Sequence, residues 1–132
     1  AAKAVCDLPV LCSLTMESDG HLLFGGTARE AVETLSALGA SAVGLNCSVG
    51  PDQLEAVVSE LCASATVPVL VKPNAGLPVI DAQGHAHYSM SPDEFAAAMR
   101  RLVERGARVV GGCCGTNPDY IHALKAALET TK

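Results

Sequence analysis

Apolar residues recur along this chain in two alternating rhythms, a short continuous run and then a stripe at helical spacing, and the pair occurs four times. Leu8 to Leu14 is an apolar run of strand length, followed by a polar loop through Glu17, Asp19 and Gly20. Thr27 and Glu30 have capping-box spacing and open a helix on which Ala31, Leu35 and Leu38 share a face before Gly39 ends it. Ala42 to Leu45 reads as the second strand. Pro51 then takes a first-turn position, and Leu54, Val57, Val58 and Leu61 form the apolar stripe of a second helix. Val67 to Val71 is the third strand, continuously apolar as expected of a parallel strand covered on both faces. A long loop rich in Gly, Pro and His runs from Pro73 to Met90. Ser91-Pro92-Asp93-Glu94 is a second capping box, and its helix buries Phe95, Met99, Leu102 and Val103 before Gly106. Arg108 to Val110 is the fourth strand, and Asn117-Pro118 caps a last helix carrying Ile121, Leu124 and Leu128.

Strands alternating with amphipathic helices predict an α/β fold with a parallel sheet and right-handed crossovers. The repeat alone would suit a small doubly wound domain. The placement of the chemistry favours half of a (β/α)8 TIM barrel instead, because Glu17, Cys47, Asn74 and the Cys113-Cys114 pair all follow the C-terminal ends of successive strands. That rim is where barrel active sites are assembled. The expectation for residues 1–132 is therefore a four-unit (β/α)4 half-barrel, a single incomplete domain. Its two open strand edges and apolar sheet face predict either self-association or pairing with a complement that carries the other four units.

Composition narrows the function classes. With 132 residues, 49% of them hydrophobic and 17% charged, the chain can bury one sizeable core. A net charge of -5 argues against a nucleic-acid or anionic-membrane surface. No apolar run reaches membrane-spanning length and no signal core opens the chain, so a soluble, cytoplasmic protein is expected. The chain has six cysteines, but helix and strand patterning without a secretory signal favours a reduced compartment over a disulfide framework. Cys6, Cys12 and Cys62 lie in apolar stretches and read as small buried hydrophobes.

The remaining three cysteines carry the candidate chemistry. Gly111-Gly112-Cys113-Cys114-Gly115-Thr116 sets two adjacent cysteines in a glycine frame between an apolar run and a helix start. Adjacent residues on an extended strand face opposite ways, so only a sharply turned backbone, which these glycines permit, brings both sulfurs onto one ion. Cys47 has a similar setting, after an apolar run and before Gly50-Pro51. Three thiolates with one exchangeable position is the ligand count of a reactive zinc centre. A redox pair is disfavoured by the strain of a disulfide between neighbours.

These segments resemble the homocysteine S-methyltransferase family, whose zinc cysteines sit in Gly-x-Asn-Cys and Gly-Gly-Cys-Cys-Gly-Thr segments. The resemblance spans nearly the whole chain as the C-terminal half of the family's barrel. Asn46-Cys47-Ser48-Val49-Gly50-Pro51-Asp52 and Pro73-Asn74-Ala75-Gly76-Leu77-Pro78 lean it toward the homocysteine-binding modules of cobalamin-dependent methionine synthases. It implies Zn2+ on Cys47, Cys113 and Cys114, with homocysteine as methyl acceptor. Methylcobalamin would be the donor on another domain, recharged from a folate domain. Asn74 could supply an exchangeable fourth ligand, against the plainer reading of a loop-capping Asn. Asn46 could donate a hydrogen bond to a ligand thiolate, against a turn residue. The isolated half is expected to bind zinc and to lack turnover. Alternatives are a methyltransferase using S-methylmethionine or betaine, a non-catalytic zinc-binding folding or assembly fragment, and a thiol redox protein. His85 and His87, in a polar loop, are a minor metal candidate. Glu17 and Asp19 could hold an amino group but more simply stay solvated, and Lys72 could face a carboxylate. No phosphate-loop pattern exists at Gly25-Gly26.

Overall fold

The computed structural model describes residues 1–23 and 25–129. Four parallel strands, β1 (Leu11–Leu14), β2 (Ala42–Cys47), β3 (Val69–Pro73) and β6 (Val109–Val110), stand in the order β1-β2-β3-β6. Helices α1 (Ala28–Ala37), α2 (Glu55–Ser64) and α3 (Pro92–Glu104) connect them, and α4 (Pro118–Glu129) follows β6. The strands of this sheet stand in the order in which they follow one another along the chain, which is the winding of a barrel wall and not of a doubly wound sheet, whose strand order reverses. No described helix is long and apolar enough to cross a membrane.

Register divides the sheet into two faces. Val43 pairs with Val69, and Leu45 with Val71; these residues are buried on the side that meets the helices. The opposite face carries Leu11, Ala42, Gly44, Leu70 and Val109, which are aligned with one another through Leu11↔Ala42, Gly44↔Leu70 and Leu70↔Val109. Gly44 is required there, because a Cβ would run into the Leu70 carbonyl of the adjoining strand. The helix-side core joins Val32, Leu54, Val58, Leu61, Phe95, Met99 and Leu102 into one cluster. Phe95 meets the ring of Tyr120 edge-on at 5.5 Å and 79°, and the Tyr120 hydroxyl donates to the Met90 carbonyl at 2.6 Å, which seats α4 against α3.

Both predicted capping boxes form. Thr27 accepts from Glu30 N–H while the Glu30 carboxylate takes Thr27 N–H, and Ser91 and Glu94 repeat the exchange. The Asn117 side chain accepts from Asp119 N–H at 2.9 Å and so caps α4.

Several local readings change. β1 is shorter than the apolar run from Leu8; Leu8 lies ahead of it and Leu11 on the sheet face opposite the helices, and both are solvent-exposed. On α1 the buried residues are Ala28 and Val32, while Leu38 sits past the helix end in water. Pro51 opens a separate 3-10 turn, Pro51–Gln53, and α2 starts only at Glu55. β3 begins two residues later than the apolar run and extends through Pro73. Ile121 is exposed, leaving Leu124 as the buried anchor of α4. Cys6 is exposed near the N-terminus, not buried.

The largest difference lies in the segment read as a loop from Pro73 to Met90. It contains an antiparallel hairpin, β4 (Pro78–Ile80) paired with β5 (Ala86–Tyr88). Asp81 builds its turn by accepting from Gln83 N–H at 2.9 Å and His85 N–H at 2.8 Å, with Gly84 in the left-handed region at φ +86.

Candidate metal centre

The cysteines sit at the C-terminal ends of β2 and β6, with β3 between them. The residues that end β3 splice the two cysteine loops together. The Pro73 carbonyl accepts from Cys113 N–H at 2.8 Å, Asn74 N–H donates to Val49 O at 3.2 Å, and Ala75 N–H donates to Cys114 O at 2.9 Å. The Asn74 side chain spans the same gap, Nδ2 donating to Ser48 O at 3.1 Å and Oδ1 accepting from Cys114 N–H at 3.1 Å. Asn74 is only 7% exposed, the one buried polar residue among those described, and both ends of its amide are satisfied.

Cys47 reaches the site through unusual backbone. In regular extended conformation its side chain would follow Val43 and Leu45 toward the helices, opposite to Asn46. Cys47 and Ser48 instead have φ of 58 and 69. Turning φ into the left-handed region swings the Cβ to the other side of the strand. Cys47 and Asn46 then share a face, as the 3.2 Å bond from Asn46 Nδ2 to Cys47 Sγ requires. Left-handed backbone costs about 1–2 kcal/mol for each non-glycine residue, so two in succession must be held by their surroundings. The Ser48 hydroxyl accepts from the buried Met16 N–H at 3.0 Å, and its carbonyl takes the Asn74 amide.

The three sulfurs converge within 4.8 Å of one another. Cys47 Sγ lies 2.7 Å from Cys113 Sγ, which lies 3.9 Å from Cys114 Sγ. Around a tetrahedral zinc with bonds of about 2.3 Å, sulfurs stand roughly 3.8 Å apart. The second separation meets that spacing, and the first opens by about an ångström to admit an ion. The donor set, three thiols with a hydrogen-bond donor aimed at one of them, fits a zinc site. Ionisation is unevenly shared. The Cys113 thiol beside Cys47 holds the Cys47 pKa below the usual thiol value, with help from Asn46 and from the Lys72 charge against the cost of burial. Burial, together with its two sulfur neighbours, pushes Cys113 up to about 11.

Other sequence candidates fall outside this cluster. The His87 ring lies 2.7 Å and the His85 ring 3.4 Å from the Asp81 carboxylate on the exposed hairpin, so both pair with an acid. Among the described residues only the three cysteines form a group that could hold a metal. Glu17 is exposed, and Asp19 accepts from His21 N–H to make a local turn. Lys72 pairs with Asn46 in register, on the face opposite the helices, and its stem lies beside Gly111. Two residues of the site escaped sequence reasoning. Ser48 offers only a hydroxyl in a loop, with no pattern that announces left-handed backbone. Tyr88 ends β5, and its ring packs on Gly115, where any Cβ would collide with it. Burial raises the pKa of the phenol, and nearby Cys114 raises it further. The apolar Val79-Ile80 before the turn-forming Asp81-Ala82-Gln83-Gly84, with Tyr88 after it, was the signal available for that hairpin.

Known proteins are similar to this chain in sequence and in fold. The chain is 42% identical over 122 residues to a methionine synthase of Mycobacterium leprae (strain TN), covering 92% of this chain and 10% of that protein. It is 40% identical over 126 residues to a methionine synthase of Mycobacterium tuberculosis (strain ATCC 25618 / H37Rv), covering 95% of this chain and again 10% of the relative. It thus spans about a tenth of the length of these relatives. Among solved structures, the homocysteine methyltransferase MmuM of Escherichia coli superposes in its apo form with a TM-score of 0.71 at 28% identity, covering 95% of this chain and 42% of that one. The metallated form of MmuM gives 0.72 at 28% identity, with 94% of this chain and 37% of that one covered. The coverage suits four of the eight units of a TIM barrel, as the parallel winding indicates. A homocysteine S-methyltransferase family model matches residues 1–128, and the chain belongs to that family.

Proposed function

We propose that this chain is the C-terminal half of the homocysteine-binding barrel of a methionine synthase, in which Cys47, Cys113 and Cys114 hold a zinc ion that activates the homocysteine thiol. The observation that carries the reading is the convergence of three sulfurs from two strand ends at one rim of the sheet. A bound zinc ion would lower the pKa of the substrate thiol and supply a thiolate nucleophile at neutral pH.

The protein's own groups prepare for that step. Asn46 donates to Cys47 Sγ and fixes its direction. The Pro73 to Ala75 splice holds the two cysteine loops at ion-binding distance. Asn74 Oδ1 accepts one hydrogen bond and keeps a second lone pair, so it can serve as the exchangeable fourth donor that the substrate displaces. Cys47, Cys113 and Cys114, all ionised, would give a divalent ion held between them a formal charge of -1, and that excess negative charge would keep a bound thiolate electron-rich. Methylcobalamin on another domain would supply the methyl group, with a folate domain recharging it. The higher identity to the methionine synthases than to MmuM favours this donor over others used in the family.

Substrate amino and carboxylate contacts fall to the other half of the barrel, so the isolated chain should bind zinc without turnover. The edges at β1 and β6 would pair with that half or, in its absence, with a second copy. The test is zinc affinity and stoichiometry by competition with a chromophoric chelator under reducing conditions, for the parent and for Cys47→Ala, Cys113→Ala and Cys114→Ala. One tight site, weakened in every variant, is expected. A parent chain that binds no zinc, or variants that bind as tightly as the parent, would sink the proposal.

A further inference from the structure

We infer that Ser48 is a positioning residue of the metal centre, locking the left-handed turn that brings Cys47 Sγ to the other two sulfurs. The inference rests on the zinc reading for its function, though its geometry stands without an ion. Four observations converge on Ser48. It follows the cysteine directly and shares its left-handed backbone, with φ of 69 after 58. Its hydroxyl is tied to Met16 N–H, in the loop after β1, at 3.0 Å. Its carbonyl is tied to Asn74 Nδ2, at the end of β3, at 3.1 Å. The Asn46 to Cys47 bond that these ties make possible joins side chains of adjacent residues, an arrangement extended backbone does not allow.

Glycine would occupy this backbone at no steric cost. A serine here gives up that ease and gains an anchor to a neighbouring loop. Were the turn held only by Asn74 and the strand, the hydroxyl would be dispensable and glycine would serve better. Ser48 therefore acts through Cys47: its hydroxyl is taken up by Met16 N–H and its carbonyl by Asn74 Nδ2, and together they set where the first sulfur stands.

Ser48→Gly separates this role from folding. The variant removes the Met16 tie while relieving backbone strain, so the metal-free chain should keep the parent's urea midpoint. Its zinc affinity should fall about tenfold or more, the usual loss when a group that orients a ligand is removed. Cobalt substitution gives a spectroscopic check: the thiolate-to-cobalt absorption should weaken as Cys47 leaves the coordination sphere. A metal-free readout is the yield of the disulfide between Cys47 and the Cys113-Cys114 segment under limiting diamide, mapped by peptide mass spectrometry. That yield should drop in Ser48→Gly relative to the parent. Ser48→Ala, which loses the tie but keeps the strain, should show the same losses with a lower urea midpoint.

Ser48→Gly with the parent's cross-linking yield would overturn the inference, as would parent zinc affinity and cobalt absorption. If the parent itself binds no zinc, the functional proposal fails while the cross-linking comparison still decides this one.

Discussion

Replacing Asn74 by alanine tests whether the two cysteine loops are held by side-chain chemistry or merely by the sheet beneath them. The amide is 7% exposed, and its removal strips partners from Ser48 O and Cys114 N–H, both at 3.1 Å. Cys114 is exposed, so water can reach its N–H, and that loss is worth about 1 kcal/mol. The Ser48 carbonyl is half-buried, and a buried acceptor left unpaired costs about 1–3 kcal/mol. The sum, roughly 2–4 kcal/mol, is a large share of the ~5–15 kcal/mol that stabilises an ordinary domain. Urea unfolding of the metal-free, reduced chain measures it. Asn74→Asp keeps the acceptor for Cys114 N–H, loses the donor to Ser48 O and sets a carboxylate against a carbonyl, so it should lose at least as much near neutral pH. A loss below about 0.5 kcal/mol in Asn74→Ala would refute the accounting and would mean that the backbone bonds of Pro73 and Ala75 suffice.

Three further outcomes are expected. Gly115→Ala combines a left-handed residue at φ +79 with a collision against the Tyr88 ring, and should lower unfolding stability by roughly 2–4 kcal/mol; an unchanged urea midpoint would contradict the packing. Zinc uptake should strengthen with pH, since burial pushes Cys113 up to about 11 while Cys47 is shifted down, so binding at neutral pH must expel the proton from Cys113. Chelator competition between pH 6 and pH 9 reads this on a scale of about tenfold per proton released, and a flat profile would count against a thiolate site. Leu11 is 55% exposed at the open edge of β1, so sedimentation should reveal concentration-dependent association that Leu11→Lys weakens; a monomer at every concentration would remove the edge argument.

How far the sequence foretells this molecule depends on whether a signal is local. Capping boxes at Thr27 and Ser91 are read from residues three apart, and both form as drawn. The stripe of Leu54, Val57, Val58 and Leu61 is buried throughout because helical periodicity alone determines which side chains share a face. Order along the sheet follows from the alternation of strands and helices. The hairpin between Pro78 and Tyr88 went unread because each of its strands has three residues, with a proline opening the first, and most of it faces solvent. At the site, the meeting of the three cysteines was legible from their glycine settings, and the place of Asn74 at the same rim from its position after the third strand. The turn at Cys47 and Ser48 was not, since left-handed backbone there depends on partners at Met16 and Asn74 that lie far away in sequence. Tyr88 becomes visible only once the hairpin folds over Gly115.

The cysteine loops lie 66 residues apart along the chain yet meet at one rim of the sheet. An ion held between them would act as a removable cross-link, and a closed loop of that length restricts the unfolded chain by roughly 4 kcal/mol in the chain-entropy picture. Ion supply and resistance to unfolding would then be one equilibrium, read from either side. A chelator would behave as a denaturant of this rim. Copies that never acquired an ion would open there first, and a protease cutting near Cys47 or Cys113 would tell loaded molecules from empty ones without any measurement of catalysis.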